Sequence, residues 1–204
     1  MLLYFQGILV LNSNRLDNIM VTQFDLSSLG KTGKDVLIDK LVSIVRPELI
    51  VLGSHVAIDP FFHCTTALET GDYVHISSHV SIIGGKNGFL KMGNFTNISA
   101  HGIMICGSDS FKGEGIVSTP GLPQKYQDTL MVEPIVFEDF VNTGARVTIM
   151  PGVTLPQGAV IGTNSLVLRR DTLEPWTIYA GNPLRKIGLR KREHMLEFAK
   201  KLGY

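Results

Sequence analysis

Two cysteines and one tryptophan stand among 204 residues, charged side chains make up only 18%, and the formal net charge is +1. Each scarcity excludes something. Two cysteines cannot build the disulfide lattice of a small secreted domain, and Cys64 falls on a repeat position expected to point inward, so a reducing, cytoplasmic setting is expected. A near-neutral chain has no general attraction for nucleic acid. Its cations are nonetheless unevenly placed, with Arg169, Arg170, Arg185, Lys186, Arg190, Lys191, Arg192, Lys200 and Lys201 all late, where an anionic group is expected. No apolar run approaches the roughly 20 residues of a membrane-spanning helix. The opening MLLYFQG reads as the remnant of a cleavable expression tag, so residues 1–7 are set aside and a signal peptide is rejected.

What the chain has in abundance is a six-residue period. From Ile38 to Ala180 a branched aliphatic recurs, followed four positions later by a small or aliphatic residue. The register is cleanest at Ile149, Leu155, Ile161 and Val167, with Val153, Ala159 and Ser165 as partners. It extends back through Thr70, Ile76 and Ile82 and through Leu52, Ile58 and Cys64 to Ile38 and Ile44. A short break at GGKNGF precedes Met92, Ile98 and Met104, and a long one from Gly107 to Pro134 precedes Phe137 and Thr143. Such a period marks an all-β, parallel β-helix, whose rungs cannot bury their apolar faces singly and must stack. Three hexads make one triangular coil of about 18 residues, giving about seven coils. The breaks are loops leaving at corners, where function collects. The expected organisation is an N-terminal cap over 8–35, the β-helix over 36–181 with its loop excursion at 107–134, and a tail over 182–204. Leu189, Met195, Phe198, Ala199 and Leu202 fall near helical spacing in that tail, which predicts a short amphipathic capping helix.

Residues one coil apart lie above one another, so the frame also predicts neighbours. Tyr73, Phe95 and Phe140 should form an aromatic corner column. His75, Asn97 and Asn142 should form a polar ladder, and His79, His101 and Arg146 should share a turn column.

The run IVFEDFVNTGARVTIMPGVTLPQGAVIGTNSLVLRRDTLEPWTIYAGNPLRKI resembles the closing section of the hexapeptide-repeat acyltransferases. The segments YVHISSHVSIIGG and GNFTNISAHGIMICGSDSF are similar to the branch that modifies sugars on a nucleotide carrier. The resemblance implies a left-handed parallel β-helix that assembles as a homotrimer and moves an acetyl group from acetyl-CoA to a hydroxyl or amine. It places the CoA groove between subunits. By position it implicates Gly144 and Ala145, then Gly162, Thr163 and Asn164, then Arg169, Arg170 and Lys186 near the nucleotide end. Small residues at turns let the thioester arm approach the backbone, and guanidinium groups suit phosphates. One departure stands out: related galactoside and maltose enzymes carry a THP histidine where this chain reads CGSDSF, with Cys106, Ser108 and Asp109.

The base must then be another residue or be unnecessary. His75 is the first candidate, an imidazole able to take a proton near neutrality, and its alternative is a rung neighbour bonded to Asn97. His101 is the second, against a solvated corner or trimer contact. Asp109 is assigned to the site as an orienting carboxylate or amine ligand, against a simple turn cap. Asn97 and Asn142 on the ladder, with Lys112, Lys125 and Tyr126 on the long loop, are assigned to the sugar substrate. Cys106 is passed over as a nucleophile because direct attack on the thioester needs no acyl-enzyme. The expected function is acetyl transfer to a nucleotide-linked amino-deoxy sugar for surface polysaccharide, tilted toward nitrogen because an amine demands less of a base. The rivals are a non-catalytic β-helix scaffold and a zinc-dependent, carbonic-anhydrase-like trimer; the six histidines lack the spacing for the latter, so no metal is expected.

Overall fold

The computed structural model describes residues 24–204, so the tag-like opening and most of the expected N-terminal cap lie outside it. Three parallel sheets wrap a triangular solenoid of about seven turns. The first sheet climbs from Lys31–Thr32 through Ile50–Leu52, Ala67–Thr70, Phe89–Met92 and Ile135–Phe137 to Thr154–Leu155. The second runs from Leu37–Ile38 through Val56–Ile58, Val74–Ile76, Asn97–Ile98, Asn142–Thr143 and Val160–Ile161 to Thr177–Ala180. The third holds Ser43–Ile44, His63–Cys64, Ser81–Ile83, Ile103–Ile105, Thr148–Ile149 and Leu166–Val167. Strand pairing thus begins at Lys31, ahead of the expected boundary at 36.

Alternation places one residue in two of each short strand inside, and branched aliphatics fill those places because they stack well on a pleated surface. In the second sheet Ile38, Ile58, Ile76, Ile98, Thr143 and Ile161 form one buried column closed by Tyr179. The corners are less ordinary. His55, Tyr73, Phe95, Phe140 and Trp176 on one corner, and Phe61, His79, His101, Arg146 and Asn164 on another, all have φ between +52° and +63°. A left-handed backbone costs a non-glycine residue about 1–2 kcal/mol. Stacking offsets it: successive ring centroids from His55 to Tyr73, Phe95 and Phe140 lie 4.5, 5.1 and 5.0 Å apart, and an aromatic pair contributes about 0.5–1.5 kcal/mol. Gly158 occupies the next place in that column, where a β-carbon would sit 2.4 Å from the Trp176 ring; its absence lets Trp176 reach Phe140 at 5.6 Å.

The long break is a built arm rather than an open loop. Gly107–Asp109 pairs antiparallel with Leu130–Val132, and buried Asp128 ties the neck by accepting from the Ser110 hydroxyl (2.8 Å) and the Phe111 amide (2.7 Å). After the last turn the chain folds back as Arg185–Leu189, antiparallel to Thr177–Ala180, which occupies the open edge of the second sheet. The helix Glu193–Lys201 therefore does not cap the end of the solenoid. Met195 and Ala199 pack on Trp176 and Phe140, and Tyr204 meets Tyr73 and Phe95 edge-on, so the helix is a strap laid back along the aromatic corner. Tyr179 lies in the main core, its hydroxyl accepting from the Glu174 amide at 2.7 Å. Among the described residues no helix is long and apolar enough to cross a membrane.

Candidate active site

The outward residues of the second sheet form the ladder that the frame predicts. Asn97 stands opposite His75 on one side and Asn142 on the other. The Asn142 amide donates to Asn97 Oδ1 at 2.6 Å, and the Asn97 amide donates to Ser99 Oγ at 3.1 Å. Behind them comes Arg190, which follows the returning strand; it donates to Asn142 Oδ1 and to the Phe140 carbonyl, each at 2.5 Å. Burial of this guanidinium holds its pKa below the usual arginine value. Arg190, Asn142, Asn97 and Ser99 are thus one fixed chain of polar contacts beside a solvent-facing sheet.

His75 stays out of that chain. Its Nε2 lies 3.1 Å from Asp59 Oδ2, on the preceding coil, and not on Asn97. Asp59 is only 3% exposed, and its other oxygen is buried with no hydrogen-bond partner among the described residues. His101 lies on the exposed corner instead, its ring stacked on His79 at 4.7 Å, with Phe61 beneath at 4.8 Å from His79. The two candidate bases therefore sit in different settings: His75 braced by a buried carboxylate, His101 by another histidine.

Asp109 is in the neck of the arm, accepting from the Ser118 hydroxyl at 2.8 Å and the Ser118 amide at 3.3 Å. Its contacts within one subunit are those of a turn cap. Lys125 lies over the Tyr126 ring at 4.8 Å, and the Lys112 amide donates to Ser110 Oγ at 3.3 Å. Among the described residues no hydrogen bond joins Asp109, Lys112, Lys125 or Tyr126 to the ladder.

On the late coils, Gly144 is required by stacking. A β-carbon there would lie 2.6 Å from the Thr163 amide nitrogen, and one on Gly162 would lie 2.9 Å from Ala180 Cβ. The Ala145 carbonyl accepts from the Asn164 amide at 3.0 Å, while the Thr163 and Asn164 side chains are exposed. The expected phosphate cations differ from one another. Arg169 is paired with Glu133 at 2.5 Å, and Lys186 with Glu174 at 2.5 Å, a contact that raises the Lys186 pKa. Arg170 is exposed and forms no ion pair among the described residues. Of the three expected phosphate cations, two are thus held by carboxylates and only Arg170 is without an ion pair among the described residues.

Cys64 and Cys106 are fully buried, and desolvation pushes their thiols up to about 11 and about 12, so neither carries thiolate at neutral pH. Among the described residues no three histidine, cysteine, aspartate or glutamate side chains gather as a metal site would.

The candidates that sequence reading missed are Asp59, Ser99, Arg190 and Glu133. Asp59 and Ser99 each follow a buried isoleucine of the second sheet, so the same frame carried one position further would have exposed them. Arg190 and Glu133 lie outside the repeat, where the period carries no signal.

No protein-family model matches the chain. A segment of 120 residues is 31% identical to WbbJ of Escherichia coli, described as an O-acetyl transferase of lipopolysaccharide biosynthesis, and covers 59% of this chain and 56% of that protein. The chain matches a third to just over half the length of its first curated relatives. Among solved structures, AntD, an N-acyltransferase from Bacillus cereus in complex with dTDP and 3-hydroxybutyryl-CoA, is 31% identical with a TM-score of 0.80, covering 91% of this chain and 100% of that one. AntD has also been solved with dTDP-4-amino-4,6-dideoxyglucose and coenzyme A. The hexapeptide-repeat acetyltransferase VCA0836 of Vibrio cholerae, 21% identical with a TM-score of 0.56 over 81% of this chain and 76% of that one, shares the fold.

Proposed function

This chain belongs to the hexapeptide-repeat acyltransferases, and from that premise we propose that it transfers an acetyl group from acetyl-CoA to the amine of a nucleotide-linked amino-deoxy sugar. It works as a cytoplasmic homotrimer. The observation that carries the reading is the likeness to AntD over 91% of this chain, AntD's complexes holding a dTDP-linked 4-amino sugar and coenzyme A.

In the proposed reaction the acceptor nitrogen attacks the thioester carbonyl, the carbon–sulfur bond breaks, and the leaving thiolate ends up with a proton that the acceptor gives up. His75 takes that proton, while the Asn97–Asn142 chain and the arm residues Lys112, Lys125 and Tyr126 position the sugar nucleotide. Thr163, Asn164 and Arg170 line the path of CoA, with Arg169 and Lys186 behind them. AntD has been crystallised with a serine replaced and with an aspartate ten positions later replaced. Ser99 and Asp109 have that spacing here, as do Ser118 and Asp128. Ser99 ends the ladder's polar chain, which supports the first pair, with Asp109 acting across a subunit boundary from its place on the arm.

The likeness to WbbJ favours a second reading, transfer to a hydroxyl. Both are tested by thiol release from acetyl-CoA and from 3-hydroxybutyryl-CoA against dTDP-4-amino-4,6-dideoxyglucose and its 4-hydroxy counterpart. The expected product from the amine is an amide that survives mild alkali. A base-labile ester from the hydroxy sugar alone would establish the second reading, and no turnover with any pair would remove both.

A further inference from the structure

We infer that Asp59 is a positioning residue for this reaction: it holds His75 as the Nε2-protonated tautomer, so that Nδ1 is the nitrogen that accepts the proton. The inference rests on the reading of His75 as the base.

Two arrangements fit a 3.1 Å contact between His75 Nε2 and Asp59 Oδ2. In one, a carboxylate accepts from Nε2–H, and the ring keeps a lone pair at Nδ1. In the other, a carboxylic acid donates to Nε2, Nδ1 carries the hydrogen, and the ring has no site left for a proton. As a carboxylate Asp59 has no hydrogen to donate and can only accept, which is the first arrangement. Among the described residues Asp59 is the one hydrogen-bond partner of the His75 ring. Asn97, directly opposite on the next coil, is committed to Ser99 and Asn142, and it contributes nothing to the imidazole.

The burial of Asp59 is otherwise unexplained. An acidic side chain 3% exposed with one oxygen unpaired loses about 1–3 kcal/mol or more relative to a satisfied group. Among the described residues Asp59 caps no turn and joins no other ion pair, whereas Asp39, at the same place one coil earlier, accepts from the Leu41 amide at 2.7 Å. A carboxylate kept dry behind a ring whose side chain is 37% exposed fixes the tautomer and strengthens its attraction for the imidazolium that forms when Nδ1 takes the proton. Asp39, whose amide donates to the Ile58 carbonyl, is the acidic neighbour of Asp59 in the same column, and Arg190 reaches Asn142 two coils on from His75.

The test uses the full chain with nitrogen-labelled histidine, the His75 signals being assigned by difference from His75→Asn. Wild type is expected to show His75 protonated at Nε2 and bare at Nδ1 at neutral pH. Asp59→Asn is nearly isosteric, but its amide can donate to Nε2. It should switch the tautomer and lower kcat by about 100-fold or more, with KM for acetyl-CoA and the thermal midpoint near wild type. His75 protonated at Nδ1 in wild type overturns the inference, and so does Asp59→Asn with normal kcat where His75→Asn has lost it. Near-normal turnover in His75→Asn removes the base reading instead. Because the wild-type tautomer is read without turnover, the two failures are told apart.

Discussion

At the scale of single residues, the chain's late cations cannot be treated as a uniform basic patch. Arg169 is held by Glu133 and Lys186 by Glu174, so in the proposed CoA site each would exchange a carboxylate for a phosphate, whereas Arg170 has no ion pair among the described residues. A charge-assisted hydrogen bond contributes about 1.5–3 kcal/mol, and loss of the free cation should therefore raise KM for acetyl-CoA by about 10-fold or more. Arg170→Ala is expected to show that rise with kcat unchanged, and Arg169→Ala a smaller one. Steady-state kinetics on the two variants check it. Equal, negligible effects would move the nucleotide end away from this turn.

At the scale of elements, the C-terminal helix is held by aromatic contacts and by one titratable clasp, the Tyr204 hydroxyl donating to the Asp72 carboxylate. That bond, with the Ser54 amide, holds Asp72 below its ordinary 3.8, and Asp72 in turn pushes Tyr204 up to about 12. The signs define a window. A carboxylate with a depressed pKa contributes stability above its ordinary value and loses it as pH falls through the lower folded one. The phenol contributes below its ordinary 10 and loses its contribution as pH rises toward about 12. The strap should thus loosen below about pH 4 and above about pH 10, the ordinary carboxylate and phenol ranges. The single tryptophan, Trp176, packs against Ala199 of the helix and reports this directly. Its emission is expected to be flat between those limits and to change outside them, and Tyr204→Phe should remove the alkaline change. An unaltered alkaline limb in that variant would separate the clasp from the helix.

At the scale of the whole molecule, the ladder and the arm carry complementary parts of the proposed site, yet among the described residues no hydrogen bond joins their side chains within one subunit. A solenoid leaves its flanks as flat surfaces, and the arm's exposed Phe111, Ile116, Val117 and Leu130 make an apolar projection without cover. A trimer in which each arm reaches a neighbour's ladder accounts for both features. Light scattering is expected to give three times the subunit mass. Replacing arm residues 111–128 by a short glycine-serine turn should abolish turnover and shift the protein toward monomer while the solenoid's sheet signal persists. A trimer that survives intact without the arm would place the interface elsewhere.

The six-residue period was legible in the sequence because burial in a solenoid is local and repetitive. Each inward Ile, Val or Leu has the same neighbours one coil up and down, so Ile76, Ile98 and Thr143 announce the sheet and thereby the ladder of His75, Asn97 and Asn142 beside it. The aromatic corner followed from the same arithmetic. What lay outside the period could only be decided in three dimensions. Arg190 comes back from beyond the last coil to bond Asn142, and the helix turns down the corner because the returning strand already occupies the sheet's edge. Even inside the repeat, the frame supplied adjacency but not direction. It set His75 beside Asn97, and only the packed structure turned the ring toward the buried carboxylate of Asp59, since register fixes which residues are neighbours while side-chain torsions and burial choose which of them bond.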